Sequence, residues 1–314
     1  MYTHSRPIIR PRDQSRAADL RRRLDSYEAR SGLLPGLAST AAREVLVAQL
    51  IDSERRVEYV RLLTTRPIDP SALTSSGRGF DPLRGAVLMD RAGDHDEACW
   101  LVFLSAHFAR NRHTEWQLVG DFYNRLGYGG QWTWLEAAGR PLELLHWLDA
   151  HRVQLTAAGG RFGNHRKYES LAASATGQAM LSYVDWVGST HRDLFARSHS
   201  IAPTPRELFA ELYRSMAQVS RFGRVGRFDY LTMLFKLGLA DIEPDSCHLD
   251  GSATGPKNGA KLLLLGAMTA GVRVQLLETR LFAVKDALAV TFDVLEDALC
   301  NWQKSPMKYV FFAG

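Results

Sequence analysis

Apolar residues recur along most of this chain with the three-to-four-residue spacing of amphipathic helices. In the stretch 39–63, Ser39 or Thr40 can cap the start, and the apolar positions that share one helical face are Val45, Leu46, Leu50, Val57 and Val60. Further helical segments are predicted at 94–109, 114–126, 141–152, 175–195, 205–220, 259–280 and 284–302. Strand-like patterns are confined to two short fragments, 87–89 and 309–312. The pattern predicts an all-α protein, with the Pro-, Ser- and Gly-rich residues 64–84 as a surface connection.

A Gly-rich turn, Gly223-Arg224-Val225-Gly226, separates two of these helical segments. Glycines let the backbone adopt positive φ and approach a ligand closely. A helix beginning near Arg227 would direct unpaired N–H groups and its positive dipole end at the turn, which suits a phosphate. Arg221, Arg224 and Arg227 would add charge-assisted contacts to neighbouring phosphates. The alternative interpretation is an ordinary helix–helix connection with solvated arginines.

A lone acidic residue, Asp245, follows 19 positions after Gly226. This layout is typical of a helix–hairpin–helix that holds a nucleic-acid backbone and is followed by a carboxylate directed at the held strand. The segment therefore predicts chemistry on DNA.

A second polar cluster, 159–168, has three glycines followed by consecutive hydrogen-bonding side chains. Asn164, His165 and Tyr168 are of the kinds that read the edge of a base or stack on its face. Lys167, together with Arg166, would hold flanking phosphates. We take Asn164, His165, Lys167 and Tyr168 as candidates for a base pocket. The alternative is a polar surface loop in which Asn164 caps a helix.

Composition bounds these interpretations. The chain has 314 residues and 35.2 kDa, enough for one large domain or two lobes. No apolar run approaches the roughly 20 residues that span a membrane, and the first residues lack the apolar core of a signal peptide. Three widely separated cysteines, Cys99, Cys247 and Cys300, lack metal-ligand spacing and fit a reduced cytoplasmic setting. Neither a metal nor another cofactor is expected.

The net charge of +5 is concentrated at the start of the chain. Residues 1–30 hold eight arginines against four acids and predict a basic arm and helix that lies along DNA phosphates. The alternative is a solvated helix face whose charges pair with one another. Residues 31–314 are expected to form a single helical catalytic domain of two lobes, with the hairpin at 221–227.

The segment 250–261 has a superficial likeness to a phosphate-binding P-loop. Its residue order is wrong and no strand precedes it, so nucleotide triphosphate hydrolysis is rejected. Lys257, at the entry to the next helix, remains a candidate for phosphate binding, and a bare capping loop is the alternative.

These motifs resemble a known family. The stretch RFGRVGRFD followed by EPDSCH resembles the hairpin and downstream aspartate of helix–hairpin–helix DNA glycosylases. From about residue 40 onward the chain is similar to the α-glutamyl/putrescinyl thymine pyrophosphorylases, a bacterial and phage family that includes anti-phage glycosylases. The strings FGNHRKYESL, FGRVGRFDYLTMLFKLGL and ATGPKNGAKLLL carry that likeness. It implies two helical lobes around a DNA-facing cleft.

The resemblance also implies roles for individual residues. Asp245 falls where such enzymes place the carboxylate that stabilises an oxocarbenium-like sugar or activates water. Asp229, three residues past Gly226, is the second choice, although it would equally suit a charge near a helix N-terminus. Phe228 stands where bifunctional members have a nucleophilic lysine, so we expect base release without strand cleavage. The hairpin residues assigned to the DNA backbone are Gly223, Arg224, Val225, Gly226 and Arg227.

The expected partner is double-stranded DNA carrying modified bases, with glucosylated 5-hydroxymethylcytosine as the expected target and no obligate protein partner. Such a target must be flipped out of the duplex. Two alternatives remain open. One is a transferase that displaces pyrophosphate from a 5-substituted thymine in DNA and attaches an amine or amino acid, with Lys257, Lys261 and the hairpin arginines binding the leaving group. The other is a non-catalytic reader of modified DNA.

Overall fold

The computed structural model describes residues 9–74, 79–251 and 253–312, with the side chain of His165 outside that description. Its α-helices, in chain order, are α1 (Gln14–Ser31), α2 (Thr40–Leu63), α3 (Ser71–Thr74), α4 (Pro82–Arg91), α5 (His95–Phe108), α6 (Gln117–Tyr123), α7 (Trp134–Gly139), α8 (Pro141–Ala157), α9 (Gln178–Val187), α10 (His191–His199), α11 (Pro205–Ser215), α12 (Arg224–Leu237), α13 (Thr254–Leu265), α14 (Val274–Leu288) and α15 (Phe292–Trp302). No strand occurs in these ranges, and the β-bridge between Asn111 and Glu115 is isolated. The all-α prediction is confirmed. None of the described helices is long and apolar enough to cross a bilayer.

The predicted boundaries hold where the periodic pattern is uninterrupted and fail where it spans a break. The segment 39–63 is α2 almost to the residue. The apolar stretch 259–280, predicted as continuous, is divided between α13 and α14. The division falls at Gly266, whose φ of 74° lies in the left-handed region that ends a helix and favours glycine. The strand-like fragment 87–89 lies inside α4.

The chain forms two compact units, each with its own hydrophobic core. Unit 1 comprises residues up to Tyr59 together with those from Pro244 onward, and unit 2 comprises 60–243. The boundary falls within α2. The hairpin candidates and the 164–168 loop therefore belong to unit 2, whereas Asp245 and Lys257 belong to unit 1.

Helix α1 is part of the core of unit 1, because Ala17, Leu20, Leu24 and Tyr27 are buried. Its arginines make ion pairs with carboxylates of the same unit: Arg16 Nη1 and Arg23 Nε with Asp19 at 2.7 and 2.8 Å, and Arg21 Nη2 with Glu44 at 2.6 Å. This favours the charge-paired alternative for α1. Residues 1–8 of the predicted basic arm lie outside the described ranges.

In unit 2, α5 is the central helix, buried on every side from Glu97 to its end. A helix that is apolar all round needs neighbours all round, and aromatic rings supply several of them. Phe103 stacks on Tyr183 of α9 at a centroid distance of 3.6 Å and on Phe222 at 4.8 Å. Since Phe222 precedes α12, this stack ties the central helix to the predicted hairpin.

A buried polar chain fixes α10 against the same core. The backbone N–H and the Nδ1–H of His191 both donate to Asp96 Oδ1, each at 2.7 Å. The Nε2 of His191 lies 2.7 Å from the hydroxyl of Tyr183, which lies 2.8 Å from that of Tyr230. Burial lowers the pKa of His191, so a neutral ring with a protonated Nδ1 satisfies every contact.

Glu97 is the buried carboxyl that makes the stability of unit 2 depend on pH. It accepts the Tyr123 hydroxyl at 2.6 Å and the Trp134 N–H at 2.5 Å. Burial nevertheless raises the pKa of Glu97 to about 7. The folded state therefore binds a proton more tightly than the unfolded state, and stability is lost as pH rises from the ordinary glutamate range through 7.

We expect Glu97→Gln to remove most of that pH dependence, because an amide can accept the Trp134 N–H and donate to the Tyr123 hydroxyl without ionising. Between pH 5 and 8 the wild type should lose about 2–3 kcal/mol of unfolding free energy that the variant keeps. Urea denaturation at the two pH values measures the difference. Glu143→Gln, at an exposed position of unit 2, is the matched control and should retain the wild-type slope. If the unfolding free energy of Glu97→Gln fell with pH as steeply as that of the wild type, Glu97 would not be the group that titrates.

Candidate functional site

The segment predicted as a hairpin lies in unit 2, where residues 216–223 join helices α11 and α12. Helix α11 begins with a capping box between Thr204 and Glu207, and a 3-10 turn follows it at Met216–Gln218. Helix α12 then begins at Arg224 with Gly223 as its N-cap. The helix therefore starts three residues earlier than the expected start near Arg227, and Gly226 lies within its first turn.

The glycines of the hairpin serve a different purpose from the predicted one. Neither Gly223 nor Gly226 has positive φ; the left-handed residue is Arg221, with φ of 65°. A Cβ on Gly226 would lie 3.0 Å from Phe222 Cδ1 and 3.4 Å from Arg166 Nη1. A Cβ on Gly226 would thus crowd Phe222 and require its ring to shift, whereas a Cβ on Gly223 would meet nothing within 4 Å.

The start of α12 retains the chemistry expected of an anion site. Its first backbone hydrogen bond runs from Arg227 N to Gly223 O at 3.1 Å. The N–H groups of Val225 and Gly226 therefore have no acceptor within the helix and point along its axis. Helix N-termini of this kind favour phosphate oxygens.

The three hairpin arginines differ in how far they reach solvent. Arg224 is 5% exposed and lies over the ring of Phe228 at 4.7 Å. Arg227 lies over Tyr213 at 4.2 Å and donates from Nη1 to the Tyr213 carbonyl at 3.0 Å. The Arg221 side chain is 47% exposed. Of the three hairpin arginines, Arg221 is therefore the one most accessible to a phosphate backbone.

Arg166, which the sequence suggested as a surface phosphate contact, is instead a buried connection between the two polar clusters. Only 7% of it is exposed. Nη1 donates to the Arg221 carbonyl at 3.0 Å, and Nε donates to the His107 carbonyl at 3.0 Å. Burial lowers the pKa of Arg166, and the carboxylates of Glu169 and Asp229 oppose the shift. This guanidinium brings the 164–168 loop and the hairpin turn together.

His107 provides two of the acceptors for the Arg166 guanidinium, its carbonyl oxygen and its ring Nδ1. Its ring is fully buried, and burial together with the charge of Arg166 lowers the pKa of His107 well below its usual value. The neutral ring donates from Nε2 to Thr176 Oγ1 at 3.0 Å and accepts from Arg166 Nη2 at Nδ1, at 3.3 Å. Sequence reasoning missed this role, since no local pattern distinguishes a histidine beneath a turn from a surface histidine.

The candidate base-reading residues lie on the surface of unit 2 beside this connection. Asn164 opens a 3-10 turn, Asn164–Arg166, and is exposed. Tyr168 is 89% exposed, and Lys167 Nζ lies 5.0 Å from the centre of its ring. The His165 side chain lies outside the described part of the chain. An exposed phenol beside an ammonium is suited to stacking on a base next to a phosphate.

Arg166→Lys is expected to loosen the hairpin turn, because an ammonium cannot reach three acceptors in the planar arrangement of the guanidinium. Unfolding free energy should fall by about 2–4 kcal/mol, and amides 219–223 should exchange faster with deuterium. Arg161→Lys, at an exposed position of the same loop, should leave both measurements near wild type. If amides 219–223 exchanged with deuterium at the same rate in the two variants, Arg166 would not be what holds the hairpin turn.

The Asp245 carboxylate lies in unit 1, in the loop before α13. Its Oδ1 accepts the Nε2–H of His248 at 2.8 Å. Glu278 of α14 accepts the N–H of Cys247 at 3.1 Å and that of Leu249 at 2.6 Å. Ser246, His248 and Glu278 line one surface pocket of about 400 Å³, together with Leu249, Asp250, Val274, Gln275 and Thr279.

The remaining sequence candidates occupy defined positions in one unit or the other. Asp229 lies in the second turn of α12, on its exposed side, near enough to Arg166 for its charge to raise the pKa of that guanidinium. Phe228, which stands in place of a lysine, is buried and packs edge-on against Phe209 at 6.2 Å. Lys257 is half-buried in the first turn of α13. In unit 2 the structure brings together the loop and the hairpin. In unit 1 it pairs Asp245 with His248, which lines the pocket.

Fold and site define an all-α protein that combines a hairpin with an open helix N-terminus and a carboxylate–imidazole pair beside a pocket. The family model for alpha-glutamyl/putrescinyl thymine pyrophosphorylase clade 3 matches residues 41–314, so the chain belongs to this family. The resemblance inferred from the motifs is confirmed at the level of the family. It is a family of enzymes that act on modified bases of DNA. No curated protein and no solved structure matches the chain.

Proposed function

We propose that this enzyme is a monofunctional DNA glycosylase of anti-phage defence, acting in the cytoplasm. It excises a hypermodified base, glucosylated 5-hydroxymethylcytosine, and leaves an abasic site. The observation that carries the proposal is the Asp245–His248 pair, whose imidazole lines the acidic pocket of unit 1. Cleavage of an N-glycosidic bond gives the sugar oxocarbenium character, and a carboxylate held nearby stabilises that charge.

The charge of the pocket favours glycosidic cleavage over pyrophosphate displacement. Its charged lining residues are Asp250 and Glu278, and no Lys or Arg is among the described residues that line it. Carboxylates stabilise a cationic transition state, whereas a pyrophosphate leaving group requires cations or metal ions. Asp245 accepts a hydrogen bond from His248, which orients the carboxylate.

Unit 2 supplies the features proposed to hold DNA. The α12 N-terminus would bind a phosphate through the N–H groups of Val225 and Gly226, with Arg221 adding a charge-assisted contact. The target nucleotide leaves the stack because its glycosidic carbon is otherwise inaccessible. Asn164 and Tyr168 are proposed to bind the extruded base or its neighbour, and Lys257 of unit 1 a further phosphate.

The family name favours one alternative, transfer of an amine or amino acid onto an activated thymine with loss of pyrophosphate. Lys257, Lys261 and the hairpin arginines would then bind the leaving group. Mass spectrometry of two incubations separates the possibilities. DNA containing glucosylated 5-hydroxymethylcytosine should release free base if the enzyme is a glycosylase, and 5-pyrophosphomethyluracil DNA with an amine should give an adduct if it is a transferase. A reader would yield neither product.

Asp245→Asn is expected to lower the single-turnover rate of base release at least about 100-fold, because a neutral amide cannot stabilise the developing positive charge. Liquid chromatography of the released base measures the rate. Asp229→Asn tests the second-choice carboxylate and should remain active. Full base release by Asp245→Asn, or loss of activity in Asp229→Asn alone, would show that the carboxylate is misassigned.

The product strand is expected to stay intact until alkali is added. Phe228 has no amine with which to form a Schiff base to the sugar, so β-elimination should not accompany base loss. Denaturing electrophoresis with and without alkali distinguishes the two outcomes, with unmodified DNA of the same sequence as the control. Strand scission without alkali would rule out the monofunctional mechanism.

A further inference from the structure

We propose that Glu278 is a positioning residue for the Asp245–His248 pair. Its carboxylate holds the backbone on both sides of His248 and so determines where the imidazole and the Asp245 carboxylate stand. The inference rests on the proposed chemistry at Asp245, and neither the motifs nor the family description assigns Glu278 a role.

Three successive backbone N–H groups of this loop are bound by side chains. Glu278 Oε2 accepts from Cys247 at 3.1 Å and Oε1 from Leu249 at 2.6 Å, while Ser246 Oγ accepts from His248 at 3.2 Å. In the part of the chain that the structure describes, residues 246–249 belong to neither a helix nor a strand. The Glu278 carboxylate, which reaches the loop from α14, fixes two of its backbone N–H groups.

His248 needs such support because its backbone is strained. Its φ of 48° is in the left-handed region, which costs a residue with a Cβ roughly 1–2 kcal/mol. The neighbours Cys247 and Leu249 are fully buried and anchor the loop on either side. Between these anchors His248 lines the pocket and donates to Asp245. Strain of this kind persists where the surroundings over-determine it, and it is concentrated at functional sites.

The placement of the Glu278 carboxyl is itself unfavourable. Burial raises the pKa of Glu278, the nearby charge of Asp245 raises it further, and the two backbone N–H groups oppose these effects. The carboxylate has one acceptor oxygen for each of the two N–H groups, so Glu278 holds the backbone on both sides of His248 at once.

The test is Glu278→Gln, which keeps the shape of the side chain but turns an NH₂ group toward one of the two N–H donors. We expect the single-turnover rate to fall about tenfold or more while the Kd for substrate DNA changes less than about twofold, since a displaced catalytic pair affects the chemical step. Glu58→Gln, at an exposed glutamate of the same unit, should match wild type in both. Ser246→Ala, which removes the acceptor for the His248 N–H, should slow the chemical step in the same sense and decides the matter if Glu278→Gln does not fold.

The outcomes separate this inference from the proposed function. Base release at the wild-type rate by Glu278→Gln, with Asp245→Asn inactive, would overturn the positioning role alone. If Glu278→Gln lowered the DNA affinity and the unfolding midpoint together with the rate, the positioning role would be overturned too, because the residue would then be purely structural. An adduct in place of free base, formed more slowly by Glu278→Gln, would overturn the glycosylase proposal and support the positioning role. No product from the wild type would overturn both.

Discussion

The arrangement of unit 2 depends on one buried cation. The guanidinium of Arg166 is removed from water and offered three acceptors, two carbonyls and a ring nitrogen, on elements far apart in sequence. Desolvating a charge is costly unless its donors are satisfied. The neutral ring of His107, the Arg221 carbonyl and the close approach allowed by Gly226 follow from that requirement. The two polar clusters are therefore joined through one side chain, which lies in the first cluster and donates to the backbone of the second.

Unit 1 solves a related problem with the opposite charge. The loop that carries the Asp245–His248 pair is neither helix nor strand, and the Glu278 carboxylate accepts two of its backbone N–H groups. In both units a charged side chain from a distant segment shapes a short irregular stretch. Functional groups are often carried by irregular segments on a rigid scaffold, because the backbone of a loop is not restricted to helical geometry.

Much of the fold was predictable because periodicity is a local property. Helix α2 was predicted nearly to the residue, and the break at Gly266 was missed because apolar residues continue across it. The site was predictable only in part. Arg166 read as a surface cation, since burial is decided by tertiary neighbours that no spacing rule identifies. Glu278 lies in an ordinary amphipathic helix 33 positions after Asp245, and nothing nearby marks it. The roles of Asp245 and of the loop at 164–168 remain predictions.

The division of the chain also has a consequence for its biosynthesis. Unit 2 is one uninterrupted stretch, whereas unit 1 is assembled from an early segment and a late one. During translation, helices α1 and α2 leave the ribosome long before α13 to α15, the partners of their apolar faces. Contacts of such large sequence separation form slowly and leave apolar surface exposed meanwhile. The unit that carries Asp245 therefore closes last, and a nascent chain can hold a finished hairpin while still lacking the carboxylate proposed to make it an enzyme.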